Sequence, residues 1–266
     1  MAYVTPLLTG LVEAVKKSAL PLDRDFAELE QLQNSVKSIK NFVMSSYTRL
    51  EQNLKTELSK IRPDIPVFTT ESKISGQSYF AISPIEGITN FAHGNGDFAV
   101  CVALIENNVT VCGVIYNPAH DEMFFAGHGK GAYKEGPRNH ERLRVSSIKE
   151  PAGALIGLHA DADSDHKSYF KLQENALKSS AFIRISGCMA LDLAYVVSGK
   201  LDAAVCYQAH YASIAAGLLM VTEAGGIIRE PDQKDPRDAD MEAIKKTGNV
   251  AALNFACGQK FLSLLK

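Results

Sequence analysis

The 266-residue chain has no polybasic stretch: 28 Lys and Arg stand against 30 Asp and Glu, for a formal net charge of -2. That balance carries no signature of direct nucleic acid binding. No apolar run approaches the roughly 18–20 residues that a membrane span needs. The first twenty residues, MAYVTPLLTGLVEAVKKSAL, are interrupted by charge and read as an amphipathic helix rather than the apolar core of a signal peptide. The five cysteines are scattered and odd in number, with no C-x-x-C spacing, which argues against both a disulfide framework and a zinc site. Four of them sit inside apolar runs and read as small buried hydrophobes in a reducing, cytoplasmic setting. There is no internal repeat and no low-complexity linker. Tryptophan is also absent, which excludes nothing.

What is present is ordinary globular material, 46% hydrophobic and 22% charged, enough for a large core. In NFVMSSYTRLEQNLKTELSKI, the residues Val43, Tyr47, Leu50, Leu54, Leu58 and Ile61 recur at steps of three and four, one face of a helix that Arg62-Pro63 ends. From Val67 the pattern shifts to short β-branched and aromatic runs, and Asn107-Asn108 reads as a hairpin turn between two of them. The second half alternates strand and helix, which points to a layered α/β protein. Residues 229–240 read as a polar surface loop. A soft boundary near Pro151 divides the chain into 1–150, an N-terminal α+β half, and 151–266, a C-terminal α/β half, expected to form one compact unit.

The stretch ISPIEGITNFAHG, residues 82–94, has the frame of a turn built for phosphate and metal, punctuated by Pro84, Gly87, Asn90 and Gly94. Downstream come HGNGDFAVCVALIENNVTVCGVIYNPAHDEMFFAGHGKGAYKEG, then IRISGCMALDLAYVVSGKLDA and IAAGLLMVTEAGG. In this order and spacing the chain resembles the inositol monophosphatase family of magnesium-dependent sugar phosphatases, and within it the bacterial extragenic-suppressor type. The likeness covers nearly the whole chain. It implies an αβαβα sandwich, a homodimer, and two or three Mg²⁺ ions held by carboxylates that bind phosphate and activate a water.

The same resemblance makes the substitutions informative. The family's D-P-[IL]-D-G-T is Ser83-Pro84-Ile85-Glu86-Gly87-Ile88 here, and its W-D-x-A-A-G is Ala212-Ser213-Ile214-Ala215-Ala216-Gly217. Ser83 and Ser213 stand where metal carboxylates are expected. Ile88 replaces the hydroxyl that positions the water, and the Asp partner of that hydroxyl aligns with Tyr47. The Glu-Glu pair aligns with Thr70-Glu71, or, with a one-residue shift, Glu71 is itself the ligand. Cys206 aligns with a substrate-facing carboxylate. Glu71 and Glu86 remain as residual metal candidates, and Lys37, Gly87, Thr89, Asn90 and Gly187 as substrate or phosphate candidates. On the bland reading Thr89 and Asn90 hydrogen-bond the turn, His93 is a turn histidine, Asp192 and Asp202 cap a helix and a strand edge, and Cys188 and Cys206 only pack. The leading expectation is a pseudophosphatase that binds no cofactor, or only weak Mg²⁺. Its role would be binding or regulation, with a protein partner such as the transcription machinery implied by the resemblance alone. Two alternatives stay open: a weak or re-purposed Mg²⁺-dependent phosphatase acting on inositol phosphate or a related sugar phosphate, and an oligomeric scaffold or sensor of anionic sugar metabolites.

Overall fold

The computed structural model describes residues 5–32, 36–70, 76–135, 140–160, 166–231 and 240–264, without the side chains of 30–32, 36–38, 259 and 262. The chain opens with two long helices, α1 (Pro6–Leu32) and α2 (Val36–Ile61). The apolar stripe of α2 is buried as its spacing requires, with Leu50, Leu54 and Leu58 at most 2% exposed. Helix α1 runs through Pro21, which forfeits one backbone bond. Burial of Ala19 and Leu22 on either side holds the helix together there.

A seven-stranded sheet follows, in sequential order: β1 (Val67–Thr69), β2 (Tyr79–Glu86), β3 (Ala99–Glu106), β4 (Val109–Asn117), β5 (Glu122–Gly127), β6 (Gly131–Lys134) and β7 (Glu141–Arg142). The β3–β4 turn is Asn107-Asn108 with φ of 51° and 65°, the left-handed pair a tight hairpin needs. A five-residue helix, α3 (Ile88–Ala92), separates β2 from β3. Successive side chains enter opposite faces. Val100, Val102 and Leu104 pack with α1 and α2, while Cys101, Ala103 and Ile105 join a central core on the other side. With both faces buried, the strands read as continuous apolar runs instead of alternating ones.

The remaining elements are β8 (Leu155–Ala160), α4 (His166–Lys178), β9 (Phe182–Arg184), α5 (Met189–Val197), β10 (Ala203–Tyr207), α6 (Tyr211–Glu223), β11 (Ile227–Arg229), α7 (Met241–Thr247), β12 (Val250–Leu253) and α8 (Gly258–Leu264). Five of them form a second sheet in the order β11-β12-β10-β8-β9. Helices α5 and α6 fill the layer between the sheets, and α4 and α8 cover the outer face of the second, giving an αβαβα sandwich.

The central layer is close-packed by design of its glycines. A Cβ on Gly113 of β4 would meet Ala216 Cα of α6 at 2.8 Å, and one on Gly217 would meet Leu193 Cδ1 of α5 at 2.5 Å. Gly113→Ala is therefore expected to lower the unfolding free energy by about 1–3 kcal/mol, the usual cost of overpacking a tight core. Urea titration followed by circular dichroism checks this; an unchanged midpoint would show that the two elements can separate freely.

Candidate functional site

A local irregularity in β2 sets the geometry of the site. Ser83 pairs with Cys101 and Glu86 with Ala99, so one extra residue is inserted in β2 between them. This is a β-bulge at Pro84-Ile85, a position where a proline's missing N–H costs no ladder bond. Without it, residues three apart would face opposite ways. With it, Ile85 turns to the α1/α2 core, and Ser83 and Glu86 both face the central layer. The expected turn over 82–94 thus begins only at Gly87, because Ile82 through Glu86 are strand. Gly87 has φ 80°, and a Cβ there would lie 2.8 Å from the Asp97 carbonyl oxygen. Only glycine fits.

These residues line a cleft of about 340 Å³. Its floor is a hydroxyl pair: Ser213 Oγ, in the first turn of α6, donates to Ser83 Oγ at 3.2 Å, and both side chains are buried. Tyr47, Thr70, Ile88 and Thr89 are among the residues that line it. His159, His210, Met44 and Met189 line it as well. These four were not among the residues expected from sequence. His159 is one of the last two residues of β8, and His210 lies just past the end of β10; the two strands are parallel, and the carboxyl end of a parallel strand is the usual ligand side of an α/β sheet.

Glu86 is not turned outward as a residual metal ligand would be. Its Oε2 accepts from Cys188 Sγ at 2.6 Å and from Ala190 N at 3.5 Å, and its Oε1 from Met189 N at 3.3 Å. It caps the start of α5, a role that negative charge at a helix N-terminus favours. Burial raises its pKa to about 6, against the lowering effect of those three donors. The Cys188 thiol is pushed well above its ordinary range by burial and by the Glu86 charge, so it stays protonated. Asp192, expected as a helix cap, is instead sealed in the first turn of α5. Its Oδ1 accepts from Ser186 Oγ at 2.9 Å and its Oδ2 has no partner. Burial raises its pKa to about 8. Asp202 does take the strand-edge role, accepting from Leu155 N at 2.8 Å and Ser146 Oγ at 2.5 Å.

Among the other candidates, Asn90 spends its amide on the turn, donating to the carbonyls of Asp97 at 2.7 Å and Ser186 at 2.8 Å. Gly187, at φ 77°, leaves room for it: a Cβ there would lie 3.1 Å from Asn90 Nδ2. The backbone of Lys37 belongs to the first turn of α2; its side chain lies outside the described residues, as does all of Glu71. Cys206 is buried, like the other four cysteines. His93 follows the last turn of α3 and is exposed.

The described donors do not fit a hard divalent cation. Mg²⁺ takes carboxylates and water in octahedral array. The two serine hydroxyls are neutral and bonded to each other, and the only carboxylate lining the cleft among the described residues is occupied at α5. Among those residues no group of three or more His, Cys, Asp or Glu side chains comes together to hold a metal ion.

The family model described as "Inositol monophosphatase family" matches residues 4–259. An inositol-1-monophosphatase of Mesorhizobium japonicum is 35% identical over 232 residues, 85% of this chain and 86% of that protein. The Nus factor SuhB of Pasteurella multocida is 30% identical over 231 residues, 85% of each. Among solved structures, the extragenic suppressor protein SuhB of Bartonella henselae superposes with a TM-score of 0.83 at 32% identity, covering 98% of this chain and 99% of that one.

The buried acids make stability pH-dependent. Both folded-state pKa values are raised, so the stability these groups contribute is fully present below about pH 4 and is lost as pH rises, through about 6 for Glu86 and about 8 for Asp192. The urea midpoint is expected to fall between about pH 5 and pH 8. Asp192→Asn should flatten the part above about pH 6 and raise stability at the alkaline end. The scale is about 1.4 kcal/mol for each tenfold change in proton affinity between folded and unfolded chains. A variant that keeps the natural pH slope would show that Asp192 is ionised and solvated when folded.

Proposed function

The chain belongs to the inositol monophosphatase family, and we propose that within it this protein is a non-catalytic member whose cleft serves binding or regulation. One observation carries the reading: the Ser83–Ser213 hydroxyl pair occupies the floor of the cleft, where the resemblance puts two metal carboxylates. The family is magnesium-dependent. Deprived of those charges, the cleft has little to offset the dehydration of Mg²⁺. Glu86, the one carboxylate left among the described lining residues, has taken up work at the start of α5. Ile88 and Tyr47 stand where the water-positioning pair would be, and neither supplies a carboxylate or an aliphatic hydroxyl.

Relatives named Nus factor SuhB support a protein partner in the transcription machinery, and a homodimer is the assembly proposed from the family resemblance. A cytoplasmic setting agrees with five free buried cysteines. Among the described residues no helix is long and apolar enough to cross a membrane. The competing reading, a weak phosphatase using Glu86 and Glu71, draws its support from relatives named inositol-1-monophosphatase at up to 35% identity.

Turnover separates the two. Each lost group is worth on the order of 10²–10³ in rate by analogy with a single electrostatic catalytic group. The effects need not multiply, since such groups act as a unit. The expected result is no Mg²⁺-dependent hydrolysis of inositol 1-phosphate by the natural protein or by Ser83→Asp. A kcat/KM within reach of the common enzyme range, about 10⁴–10⁸ M⁻¹s⁻¹, would overturn the reading.

Metal linkage gives an independent check. A protein without a metal site gains nothing by mass action. Its melting temperature should be the same in EDTA and in about 10 mM Mg²⁺, well above a weak site's affinity. A rise of several degrees with Mg²⁺ would restore the competing reading.

A further inference from the structure

The cleft does not end at the serine pair. Met44, Ile88 and Thr89 form a shared wall with a second groove of about 520 Å³, running between α2 and α3 over Ile39, Val43 and Ala92. The two spaces differ in chemistry. The first has a hydroxyl floor and two histidines. The second is mostly apolar, with Lys40, Thr89 and His93 its polar members. Lys40 is exposed, and a lysine of that kind lays its methylene stem along apolar surface while its ammonium stays in water. Side chains that would normally be covered are open here: Met44 is 45% exposed and Ile88 37%.

Charge decides what the polar end can take. No Lys or Arg lines the cleft among the described residues, and its one carboxylate is already occupied. A phosphate dianion brought onto the serine pair would be desolvated beside Glu86 with no Lys or Arg among the described lining residues to offset it, an expensive arrangement. An uncharged hydroxyl-bearing head meets no such penalty. Ser83 Oγ, which accepts from Ser213, still has a proton to donate, and Ser213 Oγ still has lone pairs to accept with. A hydrocarbon chain leaving that head would cross the Ile88–Met44 wall into the groove.

We propose that the cleft and groove together bind an uncharged amphiphile, its hydroxylated head on Ser83 and Ser213 and its aliphatic tail over Ile88 and Met44. The inference rests on the non-catalytic reading of the cleft and names the class of ligand for it. An isolated sugar or polyol would fill only half of the site. An anionic amphiphile would place its charged head in a cleft that no Lys or Arg lines among the described residues.

Isothermal titration of the full chain in EDTA with a homologous series of alkyl β-glucosides, each kept below its micelle concentration, tests this. Affinity is expected to rise by about two- to fourfold for each added methylene, the range set by full burial at about 0.8 kcal/mol per CH₂ and by partial burial. Glucose alone should bind far more weakly than the longest tail. Ile88→Asp, at an exposed position, should abolish the dependence on tail length, and Met44→Ser should reduce it. Both variants should melt like the natural protein. Ser213→Ala should weaken all members of the series by a similar factor. Affinity independent of tail length would overturn the proposal, as would tighter binding of octyl phosphate or inositol 1-phosphate in EDTA. An unaltered slope in Ile88→Asp would place the tail elsewhere on the surface and overturn it too. Turnover of inositol 1-phosphate with Mg²⁺ is measured on the same preparation. Hydrolysis sinks the non-catalytic reading, while the binding series in EDTA decides the ligand class.

Discussion

Helix α6 can lie against the seven-stranded sheet only because Gly113 has no side chain, and α5 can lie against α6 only because Gly217 has none. Everything near the cleft inherits its position from those two approaches. The first turn of α6 carries Ser213 onto Ser83, the start of α5 carries Cys188 and Met189 onto Glu86, and both meet the bulged end of β2. A close-packed interior transmits displacement instead of absorbing it. The geometry of the cleft is therefore a consequence of packing well away from it.

This constraint separates the residues of one segment that the packing requires from those it leaves free. In Ala212-Ser213-Ile214-Ala215-Ala216-Gly217, Ala216 meets Gly113 and Gly217 meets Leu193, so the small residues are required by the fold. Ser213, one turn earlier, meets only the cleft floor and Ser83. The resemblance puts a metal carboxylate at this position, and a serine there leaves the packing alone. The same division runs through Ser83-Pro84-Ile85-Glu86-Gly87, where the bulge and the left-handed glycine are structural and the first residue is open to exchange.

The charges that remain have become part of the core. Glu86 holds the start of α5 and accepts a hydrogen bond from the Cys188 thiol, and Asp192 lies sealed with one oxygen unpartnered. Both are raised by burial, so each favours a proton more when folded than unfolded. Such acids oppose stability at neutral pH. Their retention marks the central layer as a place where the fold tolerates a cost that an apolar residue would avoid.

Strong local periodicity made much of the fold legible in the sequence. The α2 stripe, the Asn107-Asn108 hairpin and the strand–helix alternation of the second half each follow from spacing or turn chemistry that a short segment carries within itself. The replacements Ser83, Ser213 and Ile88 were equally plain, since a residue type needs no coordinates. Tertiary structure alone decided the rest. Strand β2 continues through Pro84 because a bulge there needs no N–H, and sequence offers no sign of which strand will bulge. Glu86 turns inward because a helix start from a hundred residues away lies within reach of it. His159 and His210 join the site because two parallel strands end side by side. Sequence determined which chemical groups this protein has to use; only the packing of α5 and α6 between two sheets decided which of them meet, because hydrogen bonds and desolvation act over a few ångströms of space irrespective of distance along the chain.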